Sequence, residues 1–195
     1  MNSPGTGALF VMSAPSGAGK TTLANAVRKR YPELRYSVST TTRAPRPGEK
    51  DGVDYFFTDA GTFEQGIEEG RWAEWARVHG NYYGTSAEVI TNELAAGHCL
   101  LLDIDVQGAR QIVERFPQAV TIFILPPGRE ELRRRLESRG SDSPEVVQKR
   151  LESAEWEMEQ ADEYRYRVVN DDLDRAVREL SAIIERHGAA CLGGS

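Results

Sequence analysis

Ala14-Pro15-Ser16-Gly17-Ala18-Gly19-Lys20-Thr21 follows, apart from its first residue, the phosphate-loop pattern of Gly, any four residues, then Gly-Lys-Ser/Thr. Glycines let the backbone curl until its N–H groups point into one cavity, and the helix that follows adds the positive end of its dipole. Lys20 is placed to reach the β- and γ-phosphates of a nucleoside triphosphate, and the Thr21 hydroxyl to ligate Mg²⁺. Thr22 continues the same helical turn. Ala14 stands where the pattern has its first Gly, which a small side chain satisfies if φ is negative. The plainer alternative, a Gly-rich turn capping a helix, does not account for the strand before, the helix after and the Lys-Thr pair together.

Outward from this loop the chain alternates apolar runs with amphipathic stretches. Ala8 to Met12 reads as a buried strand, and Lys20 to Tyr31 as a helix ended by Pro32. Cys99 to Asp103 and Val120 to Leu125 are further buried strands, with a short one at Arg167 to Val169. Helices are expected over Gln107 to Phe116, Glu130 to Arg139 and Pro144 to Gln160, and Leu173, Ala176, Val177, Leu180, Ile183 and Ile184 mark a closing helix. Uniformly apolar strands alternating with helices imply a parallel sheet covered on both faces. Tyr36 to Tyr83 breaks this rhythm with Ser, Thr, Gly and aromatics, which reads as an inserted α+β subdomain. A second break near Arg139 to Pro144 marks the edge of a flap.

The 195 residues suffice for one compact domain, and 39% hydrophobic with 28% charged residues is ordinary globular composition. A net charge of −6 argues against a duplex-DNA binder. Cys99 and Cys191 form no disulfide framework or zinc pattern, which fits a reducing cytosol. No signal-peptide pattern or membrane-length apolar run is present, so a cytoplasmic protein without nucleic-acid or membrane partners is expected. The tail from Gly188 to Ser195 is Gly-rich and reads as a frayed end.

An acid at the end of a buried strand sits beside the phosphate loop, so Asp103 in Leu100-Leu101-Leu102-Asp103-Ile104-Asp105 is a candidate Mg²⁺ ligand, directly or through water. Which of Asp103 and Asp105 lies nearer the metal stays open at this level. Ser37 to Tyr55 carries Arg43 and Arg46 spaced by Pro45 and followed by Pro47. Arginine forks match phosphate oxygens, and rigid prolines hold a loop in place without a helix. Tyr55, Tyr82 and Tyr83 add hydroxyl donors.

The phosphate loop, Ser37-Val38-Ser39-Thr40-Thr41-Thr42-Arg43-Ala44-Pro45-Arg46-Pro47-Gly48-Glu49, Asn81-Tyr82-Tyr83-Gly84-Thr85, Leu102 to Gly108 and Asn170-Asp171-Asp172-Leu173 together resemble the motifs of the guanylate kinase family, in that family's order, from about Ala8 to Arg186. The resemblance implies an α/β fold: a three-layer P-loop core with a parallel sheet (about 1–35, 86–138 and 161–190), a small α+β GMP-binding subdomain (about 36–85) and a helical lid (about 139–160). It implies transfer of a phosphoryl group from ATP to GMP with Mg²⁺. ATP would lie on residues 14–22 and Asn170. Arg43, Arg46, Tyr55 and Tyr83 would hold the GMP phosphate, and Ser39, Glu74, Thr85 and Asp105 would surround the guanine. Thr85 stands where the family often has Ser, and keeps the hydroxyl. Guanine presents N1–H and an exocyclic amine as adjacent donors for one carboxylate, whereas adenine does not, a difference worth roughly 10⁴-fold in a site built on polar recognition. Without the resemblance, Glu74 between Trp72 and Trp75 is an acid in an aromatic-rich helix.

Arg133, Arg134, Arg135, Arg139 and Arg150 make a basic stretch in an acidic chain, partly a solvated face paired with Glu130, Glu131 and Glu137. The resemblance selects Arg135, Arg139 and Arg150 as the arginines that close over the phosphates, and counts them with Lys20 and Arg43 as the catalytic residues. Two other readings share these residues: a non-catalytic binding module of the same shape, and a kinase for another phosphorylated acceptor. Oligomeric state is not legible from the sequence.

Overall fold

The computed structural model describes residues 7–78, 80–138 and 144–193. Along the chain run β1 (Leu9–Ser13), α1 (Lys20–Arg30), β2 (Arg35–Tyr36), β3 (Thr40–Thr41), β4 (Phe56–Phe57), α2 (Ala60–Glu68), β5 (Trp72–Val78), β6 (Asn81–Ser86), α3 (Ala87–Ala95), β7 (Leu100–Asp103), α4 (Val106–Arg115), β8 (Val120–Leu125), α5 (Arg129–Glu137), α6 (Pro144–Glu159), a 3-10 turn (Gln160–Glu163), β9 (Tyr166–Val169) and α7 (Leu173–Gly188). The core sheet has the order β2-β7-β1-β8-β9, with every neighbouring pair parallel. Strand side chains alternate between faces, and β1 divides its residues accordingly. Phe10 and Met12 pack with Leu23 and Val27 of α1 and Leu180 and Ile184 of α7. Leu9 and Val11 pack with Ile90 of α3 and Ile112 of α4. This is the three-layer α/β core expected from the apolar runs, and Val120 to Leu125 matches β8 residue for residue.

The second sheet, β4-β3-β6-β5, lies between Thr40 and Ser86 in sequence. Helix α2 covers it by stacking Phe63 on Trp72 at 4.3 Å and on Tyr82 at 5.1 Å between ring centroids. Asp59 caps α2 by accepting from the Thr62 N–H at 2.9 Å. Helices α5 and α6 pair through Leu132, Leu136, Val147, Leu151 and Ala154. Among the described residues no helix is long and apolar enough to cross a membrane.

Four expectations are corrected. Glu74 lies in strand β5, not in a helix: β5 turns at Gly80 (φ +84°) into an antiparallel pairing with β6. A β-bulge between Trp72 and Glu74 breaks the period of two. Trp72, Ala73, Trp75 and Ala76 therefore mimic helical spacing. Tyr36 belongs to the core sheet, because β2 pairs with β7, and the Ser37 N–H still bonds the Leu101 carbonyl at 3.0 Å. Cys99 and Cys191 are joined in a disulfide with their Cα atoms 5.5 Å apart. Helix α7 returns the chain end to the start of β7, a contact that no spacing encodes, so the cysteine argument for a reducing compartment falls away. The tail does not fray through 193: the Cys191 and Leu192 N–H groups both bond the Gly188 carbonyl at 2.9 Å, and Leu192 packs on the core.

Candidate active site

The phosphate loop leaves the carboxyl end of β1 and opens α1. Gly17 and Gly19 both have φ of +91°, the left-handed region that side chains resist. A Cβ on Gly19 would also collide with the Asn170 amide. That amide donates to the Ala18 carbonyl at 2.7 Å, while the Asn170 N–H bonds the Leu125 carbonyl at 2.8 Å. Arg135 braces the same point, donating to the Asn170 carbonyl at 3.0 Å and bonding Glu131 at 2.8 Å. Ala14 and Pro15 are buried and Ser16 is exposed. The Ala14 methyl packs into the core, which is how the loop accommodates its departure from the glycine pattern. Thr21 and Thr22 are exposed on the first turn of α1.

Strand register sets Asp103 of β7 beside Met12 of β1. Its carboxylate pairs with the Lys20 ammonium, which also donates to the Ile104 carbonyl at 3.3 Å. Asp105, two residues on, turns elsewhere: its Oδ1 accepts the Gly108 N–H at 2.8 Å and caps α4. Thus Asp103 faces the phosphate loop and Asp105 the second sheet.

There β5 and β6 pair Glu74 with Thr85, whose hydroxyl donates to Glu74 Oε1 at 2.6 Å. Glu74 is only 5% exposed. Burial pushes its pKa up to about 7, with the Asp105 charge adding and the Thr85 bond opposing. Its Oε2 lies 2.6 Å from where a Cβ on Gly108 would be, so a side chain there would displace the carboxyl from this position. Ser39 is half-buried just before β3, its carbonyl bonded by the Phe56 N–H at 2.9 Å.

Arg43 lies over the Tyr55 ring at 5.4 Å, and Tyr55 meets Tyr83 edge-on at 6.0 Å. Its Nη2 bonds both carboxylate oxygens of Glu49 at 2.8 and 3.0 Å. Glu49 also accepts the Arg46 N–H at 2.7 Å, and the guanidinium beside it holds its carboxyl below the usual range. Arg46 is exposed on the turn. Arg150 is half-buried on α6, and Arg139 lies outside the described residues.

Three residues near these groups were not singled out by sequence. Glu49 was visible only as the acidic end of the arginine loop. Glu157 of α6 is pushed up to about 7 by burial, with Lys20 opposing and Asp105 adding. Tyr36 is raised by burial and then by Asp103. Neither Glu157 nor Tyr36 carries a local sequence signal.

A phosphate loop with its lysine against a strand-end acid, and an inserted sheet that carries a buried carboxyl and an arginine over a tyrosine ring, make the arrangement of a P-loop phosphotransferase. The family model described as guanylate kinase matches residues 6–187. The chain belongs to the guanylate kinase family. It is 54% identical over 178 residues to guanylate kinase of Geobacter sulfurreducens, covering 91% of this chain and 88% of that one. It is 52% identical over 177 residues to guanylate kinase of Thiobacillus denitrificans, covering 91% and 85%. The crystal structure of guanylate kinase from Anaplasma phagocytophilum superposes with a TM-score of 0.76 at 33% identity, covering 97% of this chain and 92% of that one.

Proposed function

We propose that this chain transfers the γ-phosphoryl group of ATP to GMP, giving ADP and GDP. The observation that carries the acceptor assignment is the buried Glu74, held by the Thr85 hydroxyl beside Asp105. A carboxylate there accepts both N1–H and the exocyclic amine of guanine. Adenine would leave the acid unpaired in a dry pocket. Ser39, Thr85 and Asp105 complete the base site, and Arg43, Arg46, Tyr55 and Tyr83 take the GMP phosphate.

On the donor side, the backbone N–H groups of residues 14–22, Pro15 excepted, cradle the ATP phosphates, Lys20 meets the β- and γ-oxygens, and Asn170 holds the loop in shape. Mg²⁺ fits as the ATP counter-ion. Thr21 and Asp103 supply two hard oxygen donors at one edge of the loop, and Mg²⁺ takes its other ligands from phosphates and water. Bound there, the metal would neutralise charge on the phosphates.

Phosphoryl transfer asks the protein for alignment, charge neutralisation and exclusion of water. Lys20, Arg43 and Arg135 supply positive charge around the transferring group, joined by Arg139 and Arg150 when the lid, about residues 139–160, closes. In this reading the phosphate-loop core, the GMP-binding insertion and the lid are three working parts of one domain.

The test is ADP formation from ATP and Mg²⁺ with GMP, AMP, CMP, UMP or no acceptor. Turnover with GMP alone is expected. Turnover with another acceptor would overturn the base assignment, and GMP binding without turnover would favour a non-catalytic binding module.

A further inference from the structure

Strand β5 is the outer strand of the β4-β3-β6-β5 sheet, so one row of its backbone groups has no strand partner. A side chain of the core takes that place. Gln111 of α4 accepts the Trp75 N–H on Oε1 at 3.1 Å and donates Nε2–H to the Trp75 carbonyl at 2.9 Å. Its amide thus offers the same donor and acceptor pair that a neighbouring strand would. One turn further along α4, Arg115 Nη1 donates to the Trp72 carbonyl at 3.2 Å.

These bonds bracket the bulge between Trp72 and Glu74. The bulge is why Ala73 and Glu74, neighbours in sequence, are both buried, where a regular strand would turn one of them outward. Glu74 owes its aim to a local irregularity that the ladder with β6 does not by itself hold. Gly108, Gln111 and Arg115 fall at i, i+3 and i+7, on one face of α4. The first makes room for the Glu74 carboxyl, and the other two fix the strand that carries it. The same helix is capped by Asp105.

We propose that Gln111, supported by Arg115, is a positioning residue for guanine recognition: it ties the bulged strand carrying Glu74 to the helix capped by Asp105 and so sets the spacing of the two acids. This rests on the proposed role of Glu74 as the base-reading acid. The two acids come from different layers, so their separation depends on whatever joins the layers. The Gln111 amide bonds one to the other directly, at Trp75, the residue next in sequence to Glu74.

The test is steady-state kinetics of Gln111→Met, which keeps side-chain length and removes both hydrogen bonds. The KM for GMP should rise about tenfold, because small misplacements of recognition groups are expensive. The KM for ATP should stay within about twofold, and selection of GMP over AMP should fall. The discriminating step is a double-mutant cycle with Glu74→Gln. If Gln111 acts through Glu74, Gln111→Met added to Glu74→Gln raises the GMP KM less than about twofold. An equal rise in both backgrounds, or an unchanged GMP KM in the single variant, overturns the proposal. Should Gln111→Met fail to fold, Arg115→Met decides, because that side chain is exposed: a rise of about threefold in GMP KM supports the proposal and no rise overturns it. Unaltered GMP selectivity in Glu74→Gln would instead remove the base-site reading itself, and this inference with it. Normal loss in Glu74→Gln with no effect of either α4 variant overturns the inference alone.

Discussion

Replacing Glu74 with Gln should make the empty protein more stable and the enzyme worse. In the folded chain burial holds the Glu74 pKa at about 7, against an ordinary 4.5. Between those values the folded protein keeps the proton and the unfolded chain has lost it. The folded state therefore binds more protons, and stability falls as pH rises from about 4.5 to 7. At about 1.36 kcal/mol per pH unit, the gap corresponds to about 3 kcal/mol lost by pH 8. Gln escapes that penalty, and its carbonyl can still accept the Thr85 hydroxyl. For a chain of this length that gain is roughly 6–12 °C in Tm. Melting curves of both proteins at pH 4.5 and pH 8, without nucleotide, separate the effect. The variant should match wild type at pH 4.5 and melt higher at pH 8. Glu157 shifts in the same direction but is common to both proteins, so the difference isolates Glu74. Catalysis should move the other way. Guanine needs the ionised acid, so with a pKa of about 7 the wild-type KM for GMP at pH 6 should be about tenfold its value at pH 8. Titration of the GMP phosphate near pH 6 adds about twofold, which is all that Glu74→Gln should retain. A variant that melts lower than wild type at both pH values, or a wild-type GMP KM flat from pH 8 to 6, would refute the reasoning.

Lys20→Ala should be nearly inactive, because it removes a charge at the transferring group worth about a hundredfold or more; turnover above about a tenth of wild type refutes the role. Arg43→Ala should raise the KM for GMP by about tenfold or more with little change for ATP, and an unchanged GMP KM removes Arg43 from the clamp. Reduction of the Cys99–Cys191 bridge, which joins residues 92 apart, should cost about 2–4 kcal/mol and lower Tm. Cys191→Ser should melt at the same temperature with and without dithiothreitol. If reduction leaves wild-type Tm unchanged, the bridge contributes nothing.

What the sequence made legible was local. The phosphate loop is eight consecutive residues, and parallel strands buried on both faces are apolar runs, so the core emerged with boundaries within a few residues. What stayed hidden depended on contacts across the chain. β2 is two residues long and is a strand only because β7 lies beside it. The bulge in β5 erased the alternation that would have marked a strand. Glu49 and Glu157 look like ordinary surface acids until the fold sets one against Arg43 and buries the other toward Lys20. Glu74 itself was reached through the motif set, and no reading of periodicity would have buried it. Gln111 carried no signal, because a glutamine on a helix acquires meaning only from the strand edge it meets.

The two halves of the site manage charge in opposite ways, and the difference follows from what each is proposed to recognise. Phosphates are strongly charged, so the groups proposed to bind them can wait in exchangeable pairs: Lys20 with Asp103, Arg43 with Glu49. Each cation is held in place by an acid that a multivalent phosphate can outcompete, and partial exposure keeps the exchange inexpensive. A base is neutral and offers only hydrogen bonds. An acid that reads it in water would discriminate weakly, because solvent would replace any missing donor. Glu74 must therefore be dry, and a dry carboxyl with no cation beside it among the described residues rises in pKa. Its instability in the empty protein and the rejection of adenine proposed for it would have the same origin. The rigid setting of the bulged strand against α4 keeps that acid from relaxing toward solvent and losing both.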